Sequence, residues 1–172
     1  LMYQVTGTLN MADLSERLPP AVGSKTIWMA FGFLVVGTGI KLAIFPLHQW
    51  LPNAYTFAPS VVSAFLAATA TKVAYYLLVR IVFTIFGVVF VFETMGLQAI
   101  LLPLSIIAMF VGSAAAIYQS DLKRLLAYSS VAQIGYMTLG LSMANFAGLT
   151  GGLLHLFNHA LMKGGLFLVA AC

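Results

Sequence analysis

Long apolar runs, broken only by short polar segments, dominate this 172-residue chain. Hydrophobic residues make up 62% of the sequence and charged residues only 7%, whereas soluble domains are about 45–50% apolar and about 25% charged. An α-helix needs about 20 mostly apolar residues to cross a lipid bilayer. The chain is therefore predicted to be an all-α, polytopic integral membrane protein.

Five apolar runs have the length that a membrane-spanning helix needs. They cover residues 26–48, 60–86, 96–118, 125–145 and 149–171. Residues 1–25 are mixed in character and are predicted to form an extramembrane loop with one short surface helix at "MADLSERL". The rest of the chain, residues 26–172, is predicted to form the membrane domain.

Two of the connections between these runs carry charge. "VVFVFETM" is predicted to be a turn with Glu93 at the surface, and "QSDLKR" is predicted to be a short charged loop. Short loops rich in Lys and Arg stay on the cytoplasmic side of a membrane, so the loop at 119–124 is expected there.

Several classes of protein are excluded by what the sequence lacks. The net charge is +4, but the eight basic residues are scattered and form no patch of the kind that nucleic acid would require. The single cysteine, Cys172, excludes a disulfide framework and a self-contained iron–sulfur cluster. No P-loop or dinucleotide fingerprint is present, so no cofactor is expected. The chain has no initiator Met and ends in an apolar run, and both ends are expected to be cuts through a longer protein.

Two lysines, Lys41 and Lys72, lie within predicted spans. Ionisable residues inside a membrane are costly, so each is a candidate for function. Desolvation disfavours the charged form of a lysine, which allows such a group to exchange its proton near neutral pH. The alternative is that both lysines extend their aliphatic stems and place the amine at the interface.

Pro46 follows Lys41 closely and lies near the end of the first predicted span. A proline inside a helix leaves a carbonyl four residues earlier, here that of Leu42, without its partner. Broken helices near the middle of the membrane are typical of ion transporters. The alternative is that Pro46 simply ends the span at the interface.

The stretch "HLFNHALMKG" places His155, His159 and Lys163 at four-residue steps. Such residues share one helix face and rise about 12 Å along the axis; they are called the polar stripe below. Because histidine both donates and accepts protons, the polar stripe predicts a proton path with intervening water. Two alternatives are histidines bonded structurally to neighbouring helices, and a zinc pair that lacks the HExxH glutamate and a third ligand.

Small and polar residues in the remaining spans indicate helix packing. Gly112, Gly151–Gly152 and Gly164–Gly165 are predicted to allow close contacts between helices. The fourth span carries hydroxyl and amide groups that either hold water in a polar path or form hydrogen bonds between helices: Tyr128, Ser129, Ser130 and Gln133.

Three blocks occur in a fixed order: "KLAIFPLHQWLPNAYTFAPSVVSAFLAATATKVAYYLLVR", "QSDLKRLLAYSSVAQIGYM" and "HLFNHALMKGGLFL". Together they resemble the proton-conducting antiporter-like membrane subunits of complex I (NADH:quinone oxidoreductase), Mrp-type cation/proton antiporters and related hydrogenases. The resemblance covers nearly all of residues 26–170. The sequences "GTLNMADLSERLP" and "HLFNHALMKG" resemble the D-type subunits of Mrp antiporters more than the other members of the family.

The resemblance implies a multi-pass fragment of a subunit with roughly fourteen membrane helices built on inverted repeats, in the cell inner membrane beside other membrane subunits. The implied activity is proton translocation coupled to Na⁺ or K⁺ in a multisubunit antiporter. An alternative is proton pumping in a complex I-like or hydrogenase complex, where the redox centres and the enzyme activity belong to other subunits. A second alternative is a truncated structural remnant without transport.

The resemblance also implies roles for single residues. Lys41 matches the lysine of the first broken helix, with Pro46 near the break and His48 as a possible pathway residue, and Lys72 matches the bridging lysine of the next helix. The polar stripe would lie on the central hydrophilic axis.

This sequence departs from the family pattern at three points. No glutamate from an earlier helix is present to pair with Lys41, and the second broken helix would follow Cys172. Gln133 stands where some relatives carry a histidine.

Overall fold

The computed structural model describes residues 1–170, which consist of helices and their connections, without a strand. The prediction of an all-α chain is confirmed, while Cys172 lies outside the described residues. The five long helices are α3 (Lys25–Leu42), α5 (Ser60–Arg80), α6 (Leu97–Ile117), α7 (Leu122–Ser142) and α8 (Phe146–Val169). The short helices are α1 (Met2–Thr6), α2 (Met11–Arg17) and α4 (Trp50–Phe57).

Three helical segments are long and apolar enough to cross a membrane: Lys25–Leu42, Ser60–Phe86 and Leu97–Ile117. The predicted count of five spans is not confirmed. α7 and α8 are long enough, with 21 and 24 residues, but they are not among the three segments that combine this length with sufficient hydropathy. α7 packs between α6 and α8, so much of its surface faces other helices.

Many large apolar side chains on the long helices are exposed, and several polar side chains are buried. On α8, Leu154, Phe157 and Leu161 are more than 60% exposed, whereas His159 and Lys163 are buried. Lipid tails are as apolar as leucine, so burying an apolar face against another helix gains little in a membrane. Membrane helices associate instead through close packing at small residues and through hydrogen bonds. Apolar side chains on the outside and polar ones inside are what a helical bundle embedded in a membrane requires.

Glycines let the helices approach closely at two of the predicted positions. A Cβ at Gly112 of α6 would lie 2.8 Å from the backbone nitrogen of Ala132 in α7. A Cβ at Gly152 of α8 would lie 2.7 Å from the hydroxyl of Tyr75 in α5. The predicted close contacts are confirmed there. A Cβ at Gly164 would make ordinary contact with Ala68 of α5, and at Gly151 and Gly165 it would meet no described residue within 4 Å.

The sequence predicts that the first long helix ends at His48, but it ends at Leu42. Ala43 adopts the left-handed conformation with φ 63° and donates its N–H to the carbonyls of Gly39 and Ile40, which stops the helix. Pro46 therefore lies in the connection between α3 and α4 and not inside a helix; its bond to Phe45 is cis.

The connection from α3 to α4 doubles back on itself. The indole N–H of Trp50, the first residue of α4, donates to the carbonyl of Ile40 at 2.7 Å. α4 then packs against α7 and α5. The broken segment is thus held against the last turn of α3 and brings α4 to the interior of the bundle.

The polar connections are more helical than predicted. α7 begins at Leu122, inside the predicted charged loop, because the Asp121 carboxylate caps the helix by accepting from the N–H of Arg124 at 2.8 Å. The "VVFVFETM" turn is a wide helical turn at Val89–Thr94, and Glu93 is exposed as expected. A similar wide turn, Ile81–Phe86, extends α5.

The N-terminal segment is predicted to contain one short helix but contains two, followed by a 3₁₀ turn at Pro19–Ala21. α2 is the predicted surface helix at "MADLSERL", and its side chain Leu14 is buried against the bundle. α1 packs against α3, and α2 packs against the wide turn after α5. Residues 1–25 are therefore packed on the long helices rather than extended.

Candidate functional site

Two helices, α5 and α8, bury ionisable side chains, and a third, α7, supplies a hydroxyl partner. Lys72 on α5, together with His159 and Lys163 on α8, is 6%, 0% and 4% exposed, and Ser129 on α7 contacts Lys163. These four residues are called the buried cluster below. Charged side chains are almost never fully buried without a partner, so the partners of the two lysines define the chemistry of this region.

Lys163 is held by α7. Its Nζ donates to the carbonyl of Leu126 at 2.9 Å and to the hydroxyl oxygen of Ser129. The Ser129 hydroxyl in turn donates to the same Leu126 carbonyl at 2.9 Å. One main-chain oxygen and one side-chain oxygen therefore bind the amine across the interface between α8 and α7.

Lys72 has a different environment. Its Nζ donates to the carbonyl of Ala67 in its own helix. Within the described residues no carboxylate forms an ion pair with Lys72 or Lys163, and both amines bind neutral oxygens. The four carboxylates of the chain lie on α2, in the wide turn before α6 and at the start of α7: Asp13, Glu16, Glu93 and Asp121.

The charges of both Lys72 and Lys163 act on His159. Neither of its ring nitrogens has a hydrogen-bond partner within residues 1–170. Its ring is stacked on that of His155 with a centroid distance of 6.1 Å and an interplanar angle of 4°. A neutral imidazole accepts a proton at one nitrogen and releases one from the other.

His155 connects the buried cluster to a cleft between α7 and α8. The cleft has a volume of about 620 Å³ and is lined by His155, Gln133, Tyr136 and glycines of both helices. The imidazole of His155 lies 6.0 Å from the Tyr136 ring. The polar stripe thus runs from this cleft, through the stacked imidazoles, to the buried amine of Lys163.

The zinc alternative lacks support in the part of the chain that the structure describes. No group of three or more His, Cys, Asp or Glu side chains there is arranged to hold a metal ion. The charge of Lys72 acts on both histidines of the polar stripe and that of Lys163 acts on His159, and these positive charges repel a cation.

The other predicted site residues lie apart from the buried cluster. Lys41 is exposed in the last turn of α3, where a cation is favoured by the helix dipole. His48 is stacked on Phe45 in the connection after α3, with a centroid distance of 5.2 Å. Lys72 interacts electrostatically with all three residues of the polar stripe, whereas no hydrogen bond between described residues joins Lys41 or His48 to this group.

No pattern in the sequence pointed to the main-chain oxygens that bind the lysines. Ser129 was open to two interpretations, and the structure shows that it forms a hydrogen bond between helices. A further interhelical bond had no sequence signal at all: the hydroxyl of Tyr75 on α5 donates to the carbonyl of Met137 on α7 at 3.0 Å. These pairs are 34 to 62 residues apart in the chain, beyond the reach of local patterns.

Comparison with known proteins identifies relatives in two branches. The chain is 49% identical over 173 residues to the N subunit of the NADH-quinone oxidoreductase of Desulforudis audaxviator, a match that covers 98% of this chain and 33% of the relative. It is 31% identical over 169 residues to the D subunit of the Na⁺/H⁺ antiporter of Alkalihalophilus pseudofirmus, a match that covers 98% of this chain and 34% of the relative. The chain thus spans about a third of the length of these curated relatives.

A solved structure has the same fold. The Mrp complex from Dietzia sp. DQ12-45-1b contains a chain that matches with a TM-score of 0.86 and 30% identity, over 99% of this chain and 30% of that chain. The family model described as "NADH:quinone oxidoreductase/Mrp antiporter, TM" matches residues 1–172. The resemblance indicated by the three ordered blocks is confirmed, and this multi-pass membrane chain belongs to the NADH:quinone oxidoreductase/Mrp antiporter membrane family.

Proposed function

We propose that this chain is a proton-translocating membrane segment of a multisubunit complex and that protons pass through the buried cluster. The observation that carries this proposal is the burial of Lys72 and Lys163, whose hydrogen-bond partners among residues 1–170 are neutral oxygens. Desolvation and mutual repulsion both disfavour the doubly charged state. Arrival of a proton at one amine therefore favours release from the other.

The proposed path uses the cleft and the polar stripe. A proton enters from the cleft at His155, passes to the stacked ring of His159 and reaches Lys163 or Lys72. The stacked rings, with centroids 6.1 Å apart, are not hydrogen-bonded to each other, so each transfer is proposed to pass through intervening water. Each imidazole takes a proton at one nitrogen and gives up another. Lys41, Pro46 and His48 are proposed to form a neighbouring proton site at the break between α3 and α4.

The proposed setting follows from the longer relatives. Residues 1–25 are extramembrane and residues 26–172 belong to the membrane domain, with α3, α5, α6, α7 and α8 as five spans. The complete subunit has roughly fourteen membrane helices arranged as inverted repeats and works beside other membrane subunits in the cell inner membrane.

Two sources of energy fit the relatives. The 49% identity to the N subunit of an NADH-quinone oxidoreductase favours pumping coupled to quinone reduction, with redox centres on other subunits. Exchange of protons for Na⁺ or K⁺ is the second candidate, supported by the relative in the Na⁺/H⁺ antiporter and by the fold shared with the Mrp complex. A structural remnant without transport is the third interpretation.

The test uses everted vesicles that contain the complete complex encoded with this segment. Acidification of the interior is followed after addition of NADH, and the collapse of an imposed pH gradient is followed after addition of NaCl or KCl. We expect one of the two responses in the wild type and at least a tenfold lower rate in Lys163→Ala and Lys72→Ala, because a buried proton carrier is lost.

Lys25→Ala is the matched control, since this lysine is exposed at the start of α3 and should leave the rate unchanged. A wild-type rate in both cluster variants would exclude the buried cluster as the path. A wild-type complex that responds neither to NADH nor to cations would favour the structural remnant.

A further inference from the structure

Ser129 is the only side chain that binds a lysine of the buried cluster within the described residues; the other partners there are main-chain carbonyls. A carbonyl oxygen only accepts hydrogen bonds, whereas a hydroxyl both accepts and donates. This difference matters for an amine that changes its charge. A protonated lysine has three donors and no acceptor, but a neutral lysine has a lone pair that needs a donor.

The Leu126 carbonyl allows Ser129 to change its role. This oxygen accepts side-chain hydrogen bonds from Lys163 at 2.9 Å, from Ser129 at 2.9 Å and from Ser130 at 3.0 Å. Three side-chain donors therefore share one acceptor with two lone pairs. If the Ser129 hydroxyl turns away, the carbonyl keeps other donors and no buried acceptor is left unsatisfied.

We propose that Ser129 is a positioning residue that serves Lys163 in both of its charge states. Its oxygen accepts from the ammonium group, and its O–H rotates from the Leu126 carbonyl to donate to the neutral amine. Lys163 thus loses and regains its proton while it stays bound to α7. This inference rests on the proposed function.

The ionisable groups that face this pair come from two helices. Lys72 on α5 and His159 on α8 interact electrostatically with Lys163. On α7, the residues bonded to the amine are neutral. Ser129 therefore adjusts the hydrogen bonding of Lys163 without adding a charge to the buried cluster.

Ser130 provides a matched control. It is the same residue type at the next position, and it donates to the same carbonyl, but no hydrogen bond joins it to Lys163 among residues 1–170. Ser129→Ala and Ser130→Ala each remove one bond to Leu126, while only Ser129→Ala removes the partner of the lysine. Ser129→Thr keeps a hydroxyl at the first position.

The rate of proton translocation by the complete complex in everted vesicles is the measurement. We expect Ser129→Ala to lower the rate about tenfold, the effect of losing one hydrogen bond to a charged group. Ser130→Ala should stay within about twofold of the wild type, and Ser129→Thr should restore most of the rate. The amount of assembled complex is measured for each variant.

Equal rates in Ser129→Ala and Ser130→Ala, whether normal or low, would overturn this role for Ser129, and so would a failure of Ser129→Thr to recover. Lys163→Ala, measured beside them, separates the two proposals. If Lys163→Ala is inactive while Ser129→Ala is normal, the inference on Ser129 fails and the proposed function stands. If Lys163→Ala and Lys72→Ala both keep the wild-type rate, the proposed path through the buried cluster fails.

Discussion

At the scale of single residues, His159 has the least ordinary environment in the structure. Its side chain is fully buried, yet neither ring nitrogen bonds to another described residue. A histidine kept for structure would be expected to use its polar atoms, because buried polar groups are hydrogen-bonded in nearly all cases. This environment agrees with the proposed role of His159 in proton transfer, and a role in packing is the alternative that a variant can test.

His159→Leu tests this distinction. Leucine fills a similar volume and removes two polar atoms without partners, so we expect normal assembly of the complex. Because no imidazole remains to pass a proton between His155 and Lys163, translocation should fall at least tenfold. The rate in everted vesicles and the amount of assembled complex are both measured. Met162→Leu, a change on the exposed face of α8, is the control, and a normal rate in His159→Leu would return this residue to a packing role.

At the scale of helices, apolar run length and four-residue spacing predicted most of what is observed. The bounds of α6 agree with the sequence prediction within one residue at each end, and the sequence identified the polar stripe as one face of α8. The ends of α3 and α7 differ from the prediction, because Ala43 and Asp121 act through backbone conformation and capping. Partners supplied by another helix, such as Ser129 for Lys163, depend on packing that no local pattern specifies.

The close contact between α6 and α7 at Gly112 can be tested by substitution. Gly112→Ala would place a Cβ against the main chain of Ala132, and a backbone atom cannot rotate away. Forcing an extra carbon into a close-packed contact costs about 1–3 kcal/mol. We expect a lower midpoint of thermal unfolding for the detergent-solubilised protein.

Gly37→Ala on α3 is the matched control for Gly112→Ala. A Cβ at Gly37 would meet nothing within 4 Å in the described structure, and alanine favours helix more than glycine does. Its midpoint should equal or exceed that of the wild type. Equal midpoints for the two variants would mean that α6 and α7 are not packed as closely as the structure shows.

At the scale of the whole molecule, the connections determine which parts share a membrane face. α6 has 21 residues and so spans about 31 Å, close to the thickness of the hydrocarbon core at about 30 Å. Glu93 precedes this helix and Ser120 follows it, and both residues are exposed. They should therefore lie on opposite sides of the bilayer.

Labelling of single cysteines checks this arrangement. With Cys172 replaced by serine, Glu93→Cys and Ser120→Cys are treated with a membrane-impermeant thiol reagent in intact cells and in everted vesicles. We expect Ser120→Cys to react only from the cytoplasmic side, where the positive-inside rule places the segment with Lys123 and Arg124, and Glu93→Cys only from the other side. Reaction of both from one side would exclude α6 as a span.

The binding of two buried amines by the carbonyls of Ala67 and Leu126 has a consequence for genetics. Every amino acid carries the same main-chain oxygen, so a change of side chain at position 67 or 126 leaves the acceptor in place. An alanine scan detects the loss of the Ser129 hydroxyl but leaves the main-chain carbonyl of Leu126, which binds the same lysine, unchanged. Part of this site is thus insensitive to point mutation, and only an amide-to-ester exchange at the backbone would reveal it.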